Sequence, residues 1–174
     1  MTAADIDDCS GTVFLVDDDE GVRKALGRLL SAHGFTVQTF DSAITFLRAS
    51  PFARPACLVA DLRMPGMSGL TLQECLRDAD STVPVIFISG HGEVPKAVSA
   101  LEGGAVAFIQ KPFVEEQLVG AVRRAIALHE RREARRSSRS AFPRDEVAEV
   151  DRRAAEAGGE GPPVRDRVMG MRDR

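Results

Sequence analysis

The sequence predicts a doubly wound α/β domain, in which helices cover both faces of a parallel sheet. Five short apolar runs recur between residues 12 and 109, and each is followed by a segment with helical spacing of its apolar residues. Strands that are apolar throughout are typical of parallel sheets, because both faces of such a sheet are buried. Five β-α units in succession therefore predict one sheet with helices on either side.

The elements follow in order along the chain. The predicted strands are 12–16, 35–40, 56–60, 83–88 and 105–109. Four predicted helices carry apolar residues three or four positions apart, namely Val22, Leu26, Leu29 and Leu30; Ile44, Phe46 and Leu47; Leu70, Leu72, Cys75 and Leu76; and Val94, Ala97, Val98 and Leu101. A fifth helix is predicted to begin near Val114, with an apolar face of Val114, Leu118, Ala121, Val122, Ala125 and Leu128.

Charge divides the 174 residues near position 130. Residues 1–130 hold 11 basic and 17 acidic residues, whereas residues 131–174 hold 12 arginines and 9 acids. The second part is also rich in Gly, Pro and Ser and has few large apolar residues, which predicts poor order. We therefore predict an N-terminal extension over 1–11, one domain over 12–130, and an Arg-rich linker and poorly ordered tail over 131–174.

Composition excludes several classes of protein. No apolar run approaches the roughly 18 residues that span a bilayer, and the acidic start lacks a basic n-region, so we expect a cytoplasmic protein without a membrane partner. The three cysteines include no C-x-x-C pair, so neither a zinc site nor a disulfide framework is indicated. The chain has no Trp or Tyr, which argues against a base-stacking platform.

Polar side chains follow four of the five predicted strands. Asp17 and Asp18 follow the first, Asp61 the third, Ser89 the fourth, and Lys111 lies just past the fifth. In open parallel sheets, ligands bind in the crevice beyond the carboxyl ends of the strands, where the topology reverses. We therefore expect these five residues in one pocket, and their order is typical of a phosphoryl-accepting aspartate site.

Four segments carry a closer likeness. They are Val16-Asp-Asp-Asp-Glu20, Asp61-Leu-Arg-Met-Pro-Gly-Met-Ser-Gly69, Ser89-Gly-His-Gly-Glu-Val-Pro95, and Gly104-Ala-Val-Ala-Phe-Ile-Gln-Lys-Pro-Phe113. Over residues 12 to about 128 the chain resembles the receiver domain of a two-component response regulator, most similar to the FixJ branch. The resemblance implies a flavodoxin-like, CheY-like sheet of order 2-1-3-4-5. It also implies a sensor histidine kinase as the phosphoryl donor.

The resemblance assigns a role to each acid. Asp61 would accept the phosphoryl group. Asp17, Asp18, Asp61 and the backbone carbonyl of Arg63 would hold Mg²⁺, with Asp18 binding it directly. Mg²⁺ takes about six oxygen ligands and retains waters, and a divalent cation offsets the negative charges that meet when a carboxylate attacks phosphorus.

Other residues would bind the phosphoryl group or respond to it. Lys111 would pair with Asp61 and then with a phosphoryl oxygen, while the Ser89 hydroxyl would bond another oxygen. Ser89 would move toward the phosphate and let Phe108 turn inward, changing the face of helix four, strand five and helix five, through which a phosphorylation-dependent homodimer is expected. His91, two residues after Ser89, would modulate access of water to the phosphoryl group.

The sequence does not decide what the phosphorylated domain would act on. FixJ-type regulators carry a helix-turn-helix DNA-binding domain with a Gly-x-x-Asn-Lys-x-Ile stretch, which is absent here. The alternatives are a truncated or disrupted output domain and a stand-alone receiver that binds a protein partner or drains phosphoryl groups. The seven arginines between 123 and 139 are either a solvated linker or a phosphate-binding, sequence-independent DNA surface.

An aspartate-nucleophile phosphatase of the haloacid dehalogenase type is the rival enzyme. Its D-x-D-x-T signature is not met, because Gly21 stands where Thr is required after Asp17-Asp18-Asp19. We therefore predict a signalling domain that catalyses only its own phosphotransfer and dephosphorylation.

Overall fold

A computed structural model describes residues 11–51, 55–90 and 94–140. The strands are β1 (Thr12–Val16), β2 (Thr36–Phe40), β3 (Ala56–Asp61), β4 (Val85–Ser89) and β5 (Ala107–Gln110). The helices are α1 (Glu20–Ala32), α2 (Ala43–Ala49), α3 (Gly69–Asp78), α4 (Val94–Glu102) and α5 (Glu115–Ser140). Among the described helices, none is both long and apolar enough to cross a membrane.

The five strands form one parallel sheet with the order β2-β1-β3-β4-β5. This confirms both the predicted fold class and the strand order that the family resemblance implied. β1 lies between β2 and β3, so the chain changes direction across the sheet at β1, and the crevice expected for a ligand lies above β1 and β3.

Two apolar clusters cover the two faces of the sheet. Alternate residues of β1 divide between them, since Val13 and Leu15 join one cluster while Phe14 and Val16 join the other. The first cluster includes Leu30 of α1 and much of α5, and the second takes residues from α2, α3 and α4. Both faces are therefore buried, as a doubly wound sheet requires.

The last strand begins two residues later than predicted. The Ala105 N–H donates to the Ala100 carbonyl at the end of α4, and Gly104 has a φ of 97°, in the left-handed region that favours glycine. These backbone groups close the helix. β5 therefore begins only at Ala107.

Two of the apolar residues whose spacing predicted α4 are exposed in the structure. Val98 and Leu101 are 51% and 50% exposed, whereas Ala100 is fully buried. Gln73 of α3 donates to the Ala100 carbonyl at 2.9 Å, so α4 packs closely against α3 through a small residue. Its larger apolar side chains face solvent in this chain.

Two other residues predicted in helix faces are exposed. Ile44 of α2 is 40% exposed, and Val114 is 59% exposed because it precedes the first residue of α5. Leu118, Ala121, Val122 and Ala125 of the predicted face of α5 are buried, and Val119, Ile126 and His129 are buried with them. Leu128 is half-buried.

Helix α5 continues past the boundary predicted from charge. It ends at Ser140, so residues 131–140 are helical, while the compact unit that carries the sheet ends at Glu133. Residues 1–10 of the predicted extension and 141–174 of the predicted tail lie outside the described residues. The predicted domain boundaries stay a prediction.

A buried histidine joins α5 to the amino ends of two strands. His129 is 2% exposed, and its Nδ1 accepts a hydrogen bond from the Ala56 N–H at 2.8 Å. Its Nε2 lies 3.2 Å from Thr82 Oγ1, and Thr82 donates in turn to Glu133. Because Nδ1 accepts, Nε2 carries the hydrogen of the neutral ring.

Replacing His129 with Leu is expected to lower the free energy of unfolding by about 2 kcal/mol, because the buried Ala56 N–H loses its acceptor. Urea unfolding followed by far-UV circular dichroism measures the change. His33→Leu is the control at a more exposed histidine, for which we expect less than about 0.5 kcal/mol. Equal losses in the two variants would contradict the role of the buried hydrogen bond.

Candidate functional site

Three carboxylates meet above the sheet where the topology reverses. Asp17 follows β1, Asp18 comes next, and Asp61 is the last residue of β3. One oxygen from each lies within 4.8 Å of the others. β1 and β3 are neighbours in the sheet, so their carboxyl ends bring the three acids together.

The loop after β1 holds Asp17 in place. The Asp17 N–H donates to the Phe40 carbonyl at 3.2 Å, which continues the pairing with β2. Its Oδ1 accepts from the Asp19 N–H at 2.8 Å, and Asp19 in turn caps α1 by accepting from the Val22 N–H. The Asp17 carbonyl accepts from Arg23 Nη1 at 2.7 Å.

Burial and mutual repulsion raise the pKa of two of these acids. Desolvation, followed by the negative charge of Asp17, raises the pKa of Asp61 to about 6. The pKa of Asp17 is also raised, mainly by desolvation. A site that holds negative charge at this cost is suited to a cation.

Lys111 supplies the positive charge of the pocket. Its Nζ lies 4.0 Å from Asp17 Oδ2, and its charge lowers the pKa of both Asp17 and Asp61. The Lys111 N–H donates to the Ser89 carbonyl at 2.7 Å, which anchors its backbone at the end of β4. The side chain thus lies near Asp17, while the predicted pairing with Asp61 stays a prediction.

The Ser89 hydroxyl is a buried polar group without a hydrogen-bond partner among the described residues. Ser89 is 1% exposed, and its Oγ makes no hydrogen bond within the described part of the chain. Such a group costs free energy unless a ligand or a rearrangement satisfies it. It is therefore available to an oxygen-rich ligand.

Gly69 allows α3 to begin against the end of β3, the strand that ends in Asp61. A Cβ at Gly69 would lie 2.6 Å from the Asp61 carbonyl oxygen and 2.8 Å from the Phe87 ring. Any side chain here would displace the backbone of Asp61. This close approach is a physical reason for glycine at the end of the D-x-x-x-P-x-x-x-G segment.

The remaining predicted residues differ in what the structure says of them. Phe108 of β5 is half-buried and packs against the cluster that contains Phe87. Arg63 is exposed in the loop after β3, and the role of its carbonyl stays a prediction. His91 lies outside the described residues.

Comparison with known proteins decides the family. Residues 13–123 match the response regulator receiver domain. The chain belongs to this family. The receiver is 45% identical over 121 residues to the response regulator protein TodT of Pseudomonas putida, and 48% identical over 114 residues to the transcriptional regulatory protein FixJ of Rhizobium meliloti. These alignments cover 70% and 66% of this chain but 53% and 56% of the relatives, so the chain spans about half the length of the curated relatives it matches.

Solved structures agree with this assignment. The crystal structure of FixJ-N is 47% identical with a TM-score of 0.65, and the match covers 68% of this chain and 94% of that one. The response regulator StyR is 40% identical with a TM-score of 0.68, covering 91% and 87%. The receiver is a signalling domain of two-component systems, and Mg²⁺ and phosphorylation are typical of its family.

The acids of this receiver fit Mg²⁺. Their donor atoms are all carboxylate oxygens, the ligand type that this cation prefers, and they lie close enough to share one ion. The raised pKa values of Asp17 and Asp61 indicate that a nearby positive charge would stabilise their ionised forms. The family property and the local chemistry of the site therefore agree.

Sequence reasoning missed three polar residues that the structure brings into use. Arg23 binds the acid loop, Gln73 joins α3 to α4, and His129 joins α5 to β3. In the sequence each resembles an ordinary surface residue, because its partner is a backbone group. No spacing rule could have identified those partners.

Proposed function

We propose that this receiver accepts a phosphoryl group from a histidine kinase on Asp61, with Mg²⁺ bound beside it. The observation that carries the proposal is the cluster of three carboxylates within 4.8 Å, with Lys111 4.0 Å from Asp17. The Ser89 hydroxyl, at the end of the neighbouring strand β4, is buried and makes no hydrogen bond among the described residues. Metal-binding carboxylates, a cation and a hydroxyl thus lie at the carboxyl ends of neighbouring strands. Phosphoryl transfer requires this combination.

In the proposed reaction an Asp61 oxygen forms a bond to phosphorus while the bond from phosphorus to the donor histidine nitrogen breaks. The nitrogen keeps the bonding electrons, and Asp61 becomes an acyl phosphate. Asp17, Asp18, Asp61 and the Arg63 carbonyl would hold Mg²⁺, which would offset the charge of the phosphoryl oxygens. Lys111 would bind one of those oxygens, and the Ser89 hydroxyl would donate to another.

Intact-mass spectrometry with acetyl phosphate tests the proposal. We expect one mass increment of about 80 Da, the mass of one added HPO₃ group, when Mg²⁺ is present and none when EDTA removes it. An increment that hydroxylamine or alkali removes would fit an acyl phosphate. Wild-type protein that gained no mass under either condition would disprove the proposed function.

We further propose that phosphorylation changes the face formed by α4, β5 and α5. Two observations support this proposal: no hydrogen bond among the described residues holds the Ser89 hydroxyl, and Phe108 is only half-buried. Val98 and Leu101 expose apolar surface on α4, where a second copy of the receiver would bury it. This proposal includes a homodimer and a role in regulating transcription. The relative FixJ is named a transcriptional regulatory protein.

Replacing Phe108 with Ala is expected to weaken phosphorylation-dependent dimerisation at least about fivefold while leaving the phosphoryl increment intact, since coupling between sites typically spans about 5–150-fold. Size-exclusion chromatography with and without acetyl phosphate measures it. Val106→Ala, which packs on the other face of the sheet, is the control. Unchanged dimerisation in Phe108→Ala would remove Phe108 from the switch.

A receiver that acts as a phosphate sink or by binding a protein partner is the second candidate function. The family match covers residues 13–123, which is the receiver domain alone. If phosphorylation occurs without a shift in elution, the domain would act as a phosphate sink or through a protein partner. A shift would favour self-association as the output.

A further inference from the structure

We propose that Arg23 is a positioning residue for the metal site, an inference that rests on the proposed function. Arg23 lies in the first half of α1, outside the acid loop, and its side chain is half-buried. Its Nη1 nevertheless reaches back six residues and donates to the Asp17 carbonyl at 2.7 Å. It touches no carboxylate of the cluster in this contact and so acts through the backbone.

The Asp17 carbonyl belongs to the peptide that joins Asp17 to Asp18, two of the three acids expected to hold Mg²⁺. Rotation of this peptide would change the direction of Asp18 relative to Asp17. The Asp17 side chain is fixed by the Asp19 N–H, and its own N–H is fixed by Phe40. The bond from Arg23 supplies the corresponding constraint on the peptide between the carboxylates.

Charge alone predicts the opposite effect for Arg23. A guanidinium close to the site repels Mg²⁺, so its removal would tighten metal binding if charge were its only contribution. Positioning predicts weaker binding, since the free loop would have to be ordered when the metal binds. The sign of the change therefore separates the two roles.

Arg28 provides a matched control on the same helix. Arg23, Lys24 and Arg28 line one shallow groove of about 330 Å³ between α1 and β2. Arg28 therefore carries the same charge on the same surface, and it is more exposed than the half-buried Arg23. Arg28 is five residues farther along α1 and has no described bond to the acid loop. Replacing Arg28 with Met therefore removes one positive charge but leaves the hydrogen bond from Arg23 to the Asp17 carbonyl in place.

Isothermal titration with MgCl₂ is the direct test, because the chain has no Trp or Tyr to report binding by fluorescence. We expect Arg23→Met to bind Mg²⁺ about fivefold more weakly, which is below the roughly 10–100-fold loss seen when a direct partner of a metal ligand is removed. Arg28→Met should bind as tightly as wild type or slightly more tightly. Arg23→Lys, which keeps the charge and one donor, should fall between Arg23→Met and wild type.

Several outcomes would overturn the inference. Arg23→Met that binds Mg²⁺ as tightly as wild type would do so, as would equal weakening in Arg28→Met. Thermal unfolding of Arg23→Met shows whether the variant is folded at the titration temperature. If it is folded, loss of structure is excluded as the cause of weaker Mg²⁺ binding. Wild type that bound Mg²⁺ but gained no phosphoryl group would count against the proposed function alone, and the Arg23 comparison would still be decided by the titration.

Discussion

Asp61→Asn protein is expected to gain no phosphoryl group and yet to be more stable than wild type at about pH 7 without Mg²⁺. The phosphoryl increment disappears because an amide is not a nucleophile at phosphorus. Stability rises because the ionised Asp61 is half-buried beside Asp17, which raises its pKa to about 6. The rise of the Asp61 pKa to about 6 would correspond to about 3 kcal/mol in a fully buried site. Solvent screening at this partly exposed site reduces the expected gain in the free energy of unfolding to about 1 kcal/mol.

The pH dependence has a definite sign. Since the folded pKa of Asp61 is raised, the folded state holds its proton more tightly than the unfolded state. Its contribution to stability is fully present below about pH 4 and is lost as the pH rises through about 6. The advantage of Asp61→Asn should therefore be largest near neutral pH and vanish below about pH 4.

Asp41→Asn is the matched control for charge. The hydrogen bond from Thr45 is the main cause that lowers the pKa of Asp41, so its ionised form is favoured in the folded protein. Asp41→Asn should keep the phosphoryl increment and should not raise the melting temperature. Thermal unfolding and intact-mass spectrometry compare the three proteins. If Asp61→Asn were less stable than wild type at neutral pH, the assigned repulsion would be wrong.

The parts of the fold that follow from chain-wide patterns could be predicted from the sequence. β1 agrees with its predicted residues, since the run 12–16 is apolar and is followed at once by acids. The nearness of Asp17 to Asp61 follows from parallel strands that are neighbours in the sheet. The strand order itself came from the resemblance to the receiver family, because alternating β-α units are compatible with more than one order.

Features that depend on a particular neighbour could not be predicted. Helical spacing of Val98 and Leu101 predicted α4 but not which of its residues is buried, since Ala100 allows the close approach to α3 and is buried while the two larger residues are exposed. β5 starts late because the Ala105 N–H is used by the helix before it. Arg23 and His129 act on backbone groups, which carry no signature in the sequence.

Mg²⁺ binding is expected to weaken at least about tenfold between about pH 7 and about pH 5, because protons compete for the carboxylates. With its pKa at about 6, Asp61 is mostly ionised at the higher pH and mostly protonated at the lower. Asp17, whose pKa is also raised by burial, adds to the loss. Titration calorimetry at several pH values, at constant ionic strength, measures the effect.

Asp61→Asn separates the contribution of Asp61 from that of Asp17. This variant should bind Mg²⁺ more weakly at neutral pH and show a shallower dependence on pH, since Asp17 alone of the two raised groups remains to titrate. An affinity of the wild type that did not change across this range would mean that Asp61 is already ionised at low pH. Burial and repulsion by Asp17 would then not raise the pKa of Asp61. The free-energy cost assigned to the ionised acid cluster without metal would be wrong.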